Sequence, residues 1–261
     1  GLFGAQRRMK SVAPVGVSDQ AYETWARGEV AAWRADVLRP AGLAARAARG
    51  VQQKINQVIP EQVHAAVTAV VEQMTRGILT GSNLVAPEPM LGASLAQRDA
   101  RAREIIAGYR TTAAVEGGVA GAGGFWLAMA DFPALVAIKL KLLFDLAAVY
   151  GKSGDDFAER LFLLQIFQLA FSSADHRTQV FAAMQDWDAS RHPQSFEAFD
   201  WRRFQQEYRD HIDLAKLAQL IPVIGAPIGA VVNWRLTEKL GETAINAYRM
   251  RWLAAGGGTP G

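Results

Sequence analysis

Two carboxylates flank the stretch of this chain best suited to buried chemistry. Glu116 and Asp131 stand at either end of a run, Gly117 to Ala130, that carries no charged side chain. An apolar interior holds a carboxylate only when it is paired or protonated. Two carboxylates in one cleft can divide general-acid and general-base work, which makes Glu116 and Asp131 the catalytic candidates for a hydrolase-like reaction. Each also has a plainer use. Asp131 precedes Phe132-Pro133, the pattern of a helix cap followed by a residue suited to a first turn. Glu116 can be a buried acid paired with Lys139, Lys141 or Arg160.

Other chemistries have little to stand on. His64, His176, His192 and His211 show no ligand spacing, so no metal site is expected. The absence of cysteine excludes disulfides, thiolate catalysis and Cys-type zinc sites. No P-loop, GxSxG elbow or complete GxGxxG fingerprint occurs, and no cofactor is expected. No RNP motif or zinc finger occurs either, which argues against a nucleic-acid partner.

Glycine is the other unusual feature. Gly117, Gly118, Gly121, Gly123 and Gly124 crowd into eight positions. The spacing G-x-x-x-G occurs at Gly117/Gly121 and again at Gly225/Gly229, where it lets helices approach closely. Trp126, beside Phe125, is suited to line a lipid pocket or to sit at a headgroup interface. The expected ligand- or lipid-binding positions are therefore Gly117, Gly121, Trp126, Gly225 and Gly229. The charge-free run is shorter than the roughly 20 residues a bilayer span needs, and Lys139, Lys141 and Asp145 follow it. A shallow or peripheral hairpin fits better than a span.

The elements that position these residues read as helices. Ser18 or Asp19 caps one with Tyr22, Ala26, Val30, Trp33 and Val37 on its apolar face. A basic amphipathic helix follows, with Leu43, Ala47, Val51, Ile55 and Ile59 on one face. Pro60 opens a helix marked by Val63, Val67, Val70, Met74 and Ile78, with Gly81 as its cap. Residues 81–93 are the best linker. Ser94 with Gln97 makes a capping box for a charged helix through Tyr109. The next helix runs from Asp131 to Tyr150 with Gly151 as a left-handed cap. Asp155 or Asp156 opens a helix, apolar nearly all round, that belongs at the centre of a domain. Two more are expected around 176–190 and 196–219, then one fed by the second glycine segment and ending near Leu253. The tail 256–261 is expected to be disordered.

The net charge of +3 is unevenly placed. Residues 1–110 carry 14 basic and 9 acidic side chains, and the rest carry 14 and 16. A basic half favours an anionic surface such as lipid headgroups, or is simply a solvated face.

The run from Glu116 through Pro133, then Tyr150-Gly151, Glu159-Arg160 and Ile221-Pro222 with Gly225, Gly229 and Asn233, resembles the EcsC protein family. The glycine segment ending in Ala-Asp-x-Pro is the most specific part, and Glu116, Asp131, Pro133 and Gly151 match as signature positions. Met129 departs from the Gly/Leu-Pro type of step expected before Ala-Asp. The resemblance implies a helical, mainly bacterial protein. The family takes its name from a protein encoded beside an ABC transporter, which implies work linked to a membrane. It supplies no agreed catalytic residues.

Together these readings predict an all-α protein: a single multi-helix globular bundle with the two glycine-rich apolar helical segments at its centre, near the 156–171 helix. Its parts are an N-terminal helical region and linker (1–93), an EcsC-like helical domain (94–255) and the tail. The expected function is that of a non-enzymatic accessory protein, membrane-associated, lipid-binding or transporter-linked. The alternatives are the hydrolase-like enzyme and a carrier of an apolar ligand. The expected partners are a membrane surface or lipid and a membrane transporter. The expected location is cytoplasmic, with attachment to the inner face of the membrane as a further option.

Overall fold

The computed structural model describes residues 11–40, 42, 61–81, 87–122, 132–209 and 226–257. Among these residues it is all-α, with eight α-helices and one 3-10 turn. They are α1 (Asp19–Val37), α2 (Glu61–Thr80), α3 (Leu95–Ala122), α4 (Phe132–Val149), α5 (Phe157–Phe171), α6 (Ala174–Met184), α7 (Trp201–Arg209) and α8 (Ala226–Ala254). The 3-10 turn, Trp187–Ala189, follows α6.

The longest helices form the axis. α3 has 28 residues and α8 has 29, and they pack antiparallel. Their register is marked by Asp99 with Arg249, Arg103 with Glu242 and Arg110 with Glu238. A close approach holds them together: a Cβ on Gly241 would stand 2.5 Å from Ile106 Cδ1. α4 runs antiparallel to α3, tied by the Tyr109 hydroxyl to Asp145 Oδ2 at 2.6 Å. α5 is the central rod. Leu161 through Leu164 and Ile166 through Phe171 are all buried on it, against α2, α4, α6 and α8. Burying each large apolar side chain stabilises by roughly 1.5–3 kcal/mol before entropy is counted. α1 lies across α3, α6 and α8.

Local signals place most helix ends. Ser18 caps α1, its hydroxyl accepting from the Ala21 N–H. Ser94 and Gln97 form the capping box of α3: the Gln97 carbonyl accepts from the Ser94 N–H and the Ser94 hydroxyl from the Gln97 N–H. Asp156 caps α5. Gly151, at φ +79°, takes the left-handed position after α4, and the Gly151 and Lys152 N–H groups close back on Ala148 and Ala147.

Three boundaries differ from the sequence reading. The charged helix does not end at Tyr109; α3 continues through Glu116, Gly117, Gly118 and Gly121 to Ala122. Interior glycine costs about 1 kcal/mol each relative to alanine, and α8 packs along α3. The helix expected over 176–190 stops at Met184, where Gln185 is extended and Asp186 takes a left-handed conformation. The helix expected over 196–219 starts only at Trp201, because Asp200 caps it through the Arg203 N–H.

Candidate functional site

The sequence candidates divide by position. Glu116, Gly117 and Gly121 lie on the last turns of α3, and Gly229 on the first turn of α8. Asp131, Trp126 and Gly225 lie outside the described residues, as does the amphipathic helix read over 43–59. Of the cations offered as partners for Glu116, Lys139 is buried and donates to Thr237 Oγ1 at 2.6 Å. Lys141 pairs with Asp145 at 3.0 Å, and Arg160 donates to the Gly154 carbonyl at 3.3 Å.

The structure reveals a second polar centre, near the other end of the α3/α8 pair. Asp99 on α3 and Arg249 on α8 are each 1% exposed. Asp99 Oδ2 accepts from Arg249 Nε at 2.8 Å and from the Tyr22 hydroxyl at 2.7 Å. Its Oδ1 accepts from the Tyr150 hydroxyl at 2.6 Å. Arg249 also donates to Asn246 and lies over the Trp25 ring at 5.0 Å. Burial lowers the Arg249 pKa, the Asp99 charge raises it, and the balance is upward. Burial, then Asp99, push the pKa values of Tyr22 and Tyr150 above the ordinary range. The quartet is a set of charge-assisted hydrogen bonds that ties α1, α3, the turn after α4 and α8 together, with Arg249 Nη2 left without a partner among the described residues.

Two residues further along α8, Arg251 makes a bidentate pair with Glu159 of α5 at 2.6 and 2.9 Å. It also bonds both oxygens of Asp188 in the 3-10 turn. Its guanidinium lies 4.5 Å from the centre of the Phe162 ring. The Arg251 hydrogen bond depresses the Asp188 pKa.

Between these clusters lies a cleft of about 970 Å³. Its walls come from the start of α1, the 90–94 loop, the turn after α4 and the last turns of α8. Arg98 stands in it, 6% exposed, donating to the carbonyls of Met90, Ala93 and Val149. Among the described residues no carboxylate pairs with Arg98. Tyr248 stacks on Tyr150, ring centres 5.0 Å apart. Its hydroxyl is buried without a hydrogen-bond partner. Nothing in the sequence pattern flagged this cleft: Arg98 and Asp99 read as members of a solvated charged helix.

Among the described residues no group of three or more His, Asp or Glu side chains is placed to hold a metal. Nor, among them, is any helix long and apolar enough to cross a membrane. The fold and its interior ion pairs define an all-α bundle held by buried polar cross-links. The EcsC protein family model matches residues 25–253, and the chain belongs to that family. It is 42% identical over 226 residues to Protein EcsC of Bacillus subtilis (strain 168), covering 86% of this chain and 94% of that protein. It is 31% identical over 145 residues to Uncharacterized protein YdbA of the same organism, covering 54% of this chain and 53% of that one. No solved structure matches.

Proposed function

We propose that this chain is a non-enzymatic accessory protein that docks reversibly on an anionic membrane surface, where it can meet a membrane transporter. One topological observation carries the reading. α3 ends, α4 begins and α8 begins at the same end of the bundle, because α3 is antiparallel to both of the others. At that end the helix stretches 113–122, 132–138 and 226–234 carry a single charged residue, Glu116. The chain that joins α3 to α4 adds the charge-free piece 123–130 and one carboxylate, Asp131, and the piece that leads into α8, 221–225, is charge-free.

Nine or ten helical residues rise about 14 Å, against a hydrocarbon core of about 30 Å. Such an end suits shallow insertion. Gly117, Gly121, Gly225, Gly229 and Trp126 all belong to this part of the sequence and are the proposed lipid-contacting set. The excess of basic side chains in residues 1–110 favours anionic headgroups, an attraction that salt screens.

Flotation of the full chain with vesicles of anionic and of neutral lipid tests the reading. Binding to anionic vesicles at low salt is expected, weakened at high salt and weakened by Trp126→Glu. Absence of flotation with anionic vesicles at low salt removes the proposal.

A further inference from the structure

We propose that the cleft between α1, α4 and the end of α8 is a binding site for a soluble small molecule bearing a phosphate group. It goes beyond the membrane reading and stands independently of it. Arg98 and Glu116 are 18 positions apart on α3, about 27 Å along the helix, so the cleft lies far from the apolar end.

Two independent features of the cleft call for an anion. The first is the Arg98 guanidinium, 6% exposed, whose described partners are three neutral carbonyls. Burial lowers its pKa. A buried cation gains most from an anion that reaches it, because the low-dielectric surroundings weaken screening. The second is the Tyr248 hydroxyl, in a side chain 1% exposed and with no hydrogen-bond partner. Burial, then the nearby Glu159 charge, hold this hydroxyl protonated, so it serves as a donor. A buried donor left unpaired carries a desolvation penalty that a ligand oxygen relieves.

The remaining lining fits. Lys152, half-buried on the turn after α4, adds a second cation. The carboxylates of the cleft are already engaged or face solvent. Asp188 is bound by Arg251, Glu23 accepts from the Trp252 indole at 2.9 Å, and Asp19 is exposed on the first turn of α1. Arg98, Arg251 and Tyr248 are thus buried polar side chains of the lining, while Asp19 and Asp188 are exposed. The size of the cleft exceeds what a bare phosphate needs and admits an organic phosphate ester.

Calorimetric titration of the full chain with inorganic phosphate at low ionic strength tests the proposal. Binding is expected. Tyr248→Phe and Lys152→Ala should each weaken it about tenfold, the size of one hydrogen bond to a charged group. Tyr248→Phe removes no described hydrogen bond and should leave the melting temperature unchanged or raise it, whereas Lys152→Ala also removes a charge that acts on Asp188. A second arm uses vesicles containing phosphatidate. If Tyr248→Phe weakens phosphate binding but not flotation, the site takes a soluble phosphate. If phosphate gives no heat, or the variants bind it as the parent chain does, the proposal is overturned. It is equally overturned if Tyr248→Phe weakens only vesicle binding, because the phosphate then belongs to a lipid.

Discussion

Arg249 Nε stands 2.8 Å from Asp99 Oδ2, and the two residues are 150 positions apart in the chain. Both side chains are removed from water, so the pair links the two long helices at a depth where neither charge can stand alone. Removing one partner leaves the other buried and uncompensated. Asp99→Ala is expected to destabilise by about 3–5 kcal/mol, read as a lower urea midpoint with an unchanged slope. The double change Asp99→Leu with Arg249→Met removes both charges and should recover part of that loss, and adding Tyr22→Phe and Tyr150→Phe should recover more, because those hydroxyls otherwise lose their acceptor.

The contrast between this pair and the helix caps explains what the sequence could tell. Ser94 and Gln97, Asp156 and Gly151 were legible because a cap is made within three or four residues, so its hydrogen bonds leave a local pattern. The burial of α5 is legible for the same reason: Leu161 to Phe171 is apolar nearly all round, with Gln165 and Gln168 the exceptions. Asp99 offers no such pattern. It sits among Arg98, Arg101 and Arg103, and its burial is decided by Tyr22, Tyr150 and Arg249, each more than 50 positions away. Arg249 and Arg251 alternate with Tyr248, Met250 and Trp252, which disguises two buried cations as an ordinary helix end. Glycine shows the same contrast: Gly241, isolated in the sequence, makes a close approach between α3 and α8.

Gly241→Ala tests that approach. The added Cβ would stand 2.5 Å from Ile106 Cδ1 and 2.7 Å from Cγ1. Ile106 is β-branched and stiff at χ1, and it is 5% exposed, so it cannot swing away freely. The helix-propensity gain of alanine, about 1 kcal/mol, is set against an overpacking cost of typically 1–3 kcal/mol. A net loss of stability is expected in thermal unfolding. Adding Ile106→Ala, which removes both close atoms, should turn the Gly241→Ala step from harmful to favourable, whereas Ile106→Val keeps Cγ1 and should relieve the clash only in part.

The tyrosines give the alkaline limb. Burial, helped by the Asp145 hydrogen bond, pushes Tyr109 up to about 12 from its ordinary 10.0. Tyr22, Tyr150 and Tyr248 are displaced upward as well, with burial the largest cause in each. The folded state therefore holds these protons more tightly than the unfolded chain does. Their stabilising contribution is complete below pH 10 and is lost as pH rises through and above 12. Absorbance of tyrosinate near 295 nm should show these four rings silent at pH 10 in the folded protein. Their ionisation should coincide with loss of helical circular dichroism. A folded protein with all its tyrosines ionised at pH 10.5 contradicts the buried quartet.

Asp188 governs the acid side. Its carboxyl pKa is lowered below 3.8 chiefly by the Arg251 hydrogen bond, and Arg251 is held at the same time by Glu159. A carboxylate with a depressed folded-state pKa binds fewer protons folded than unfolded near pH 3.8, so its contribution is present above that pH. It is lost as pH falls through the lower folded value. Denaturant midpoints measured between pH 5 and 2 should fall, and Asp188→Asn should flatten that fall while lowering the midpoint at pH 5. Because Asp188 is half exposed, the effect should shrink in high salt. Glu159→Gln should cost more than Asp188→Asn at pH 7, since Glu159 is the more buried and supplies the bidentate partner.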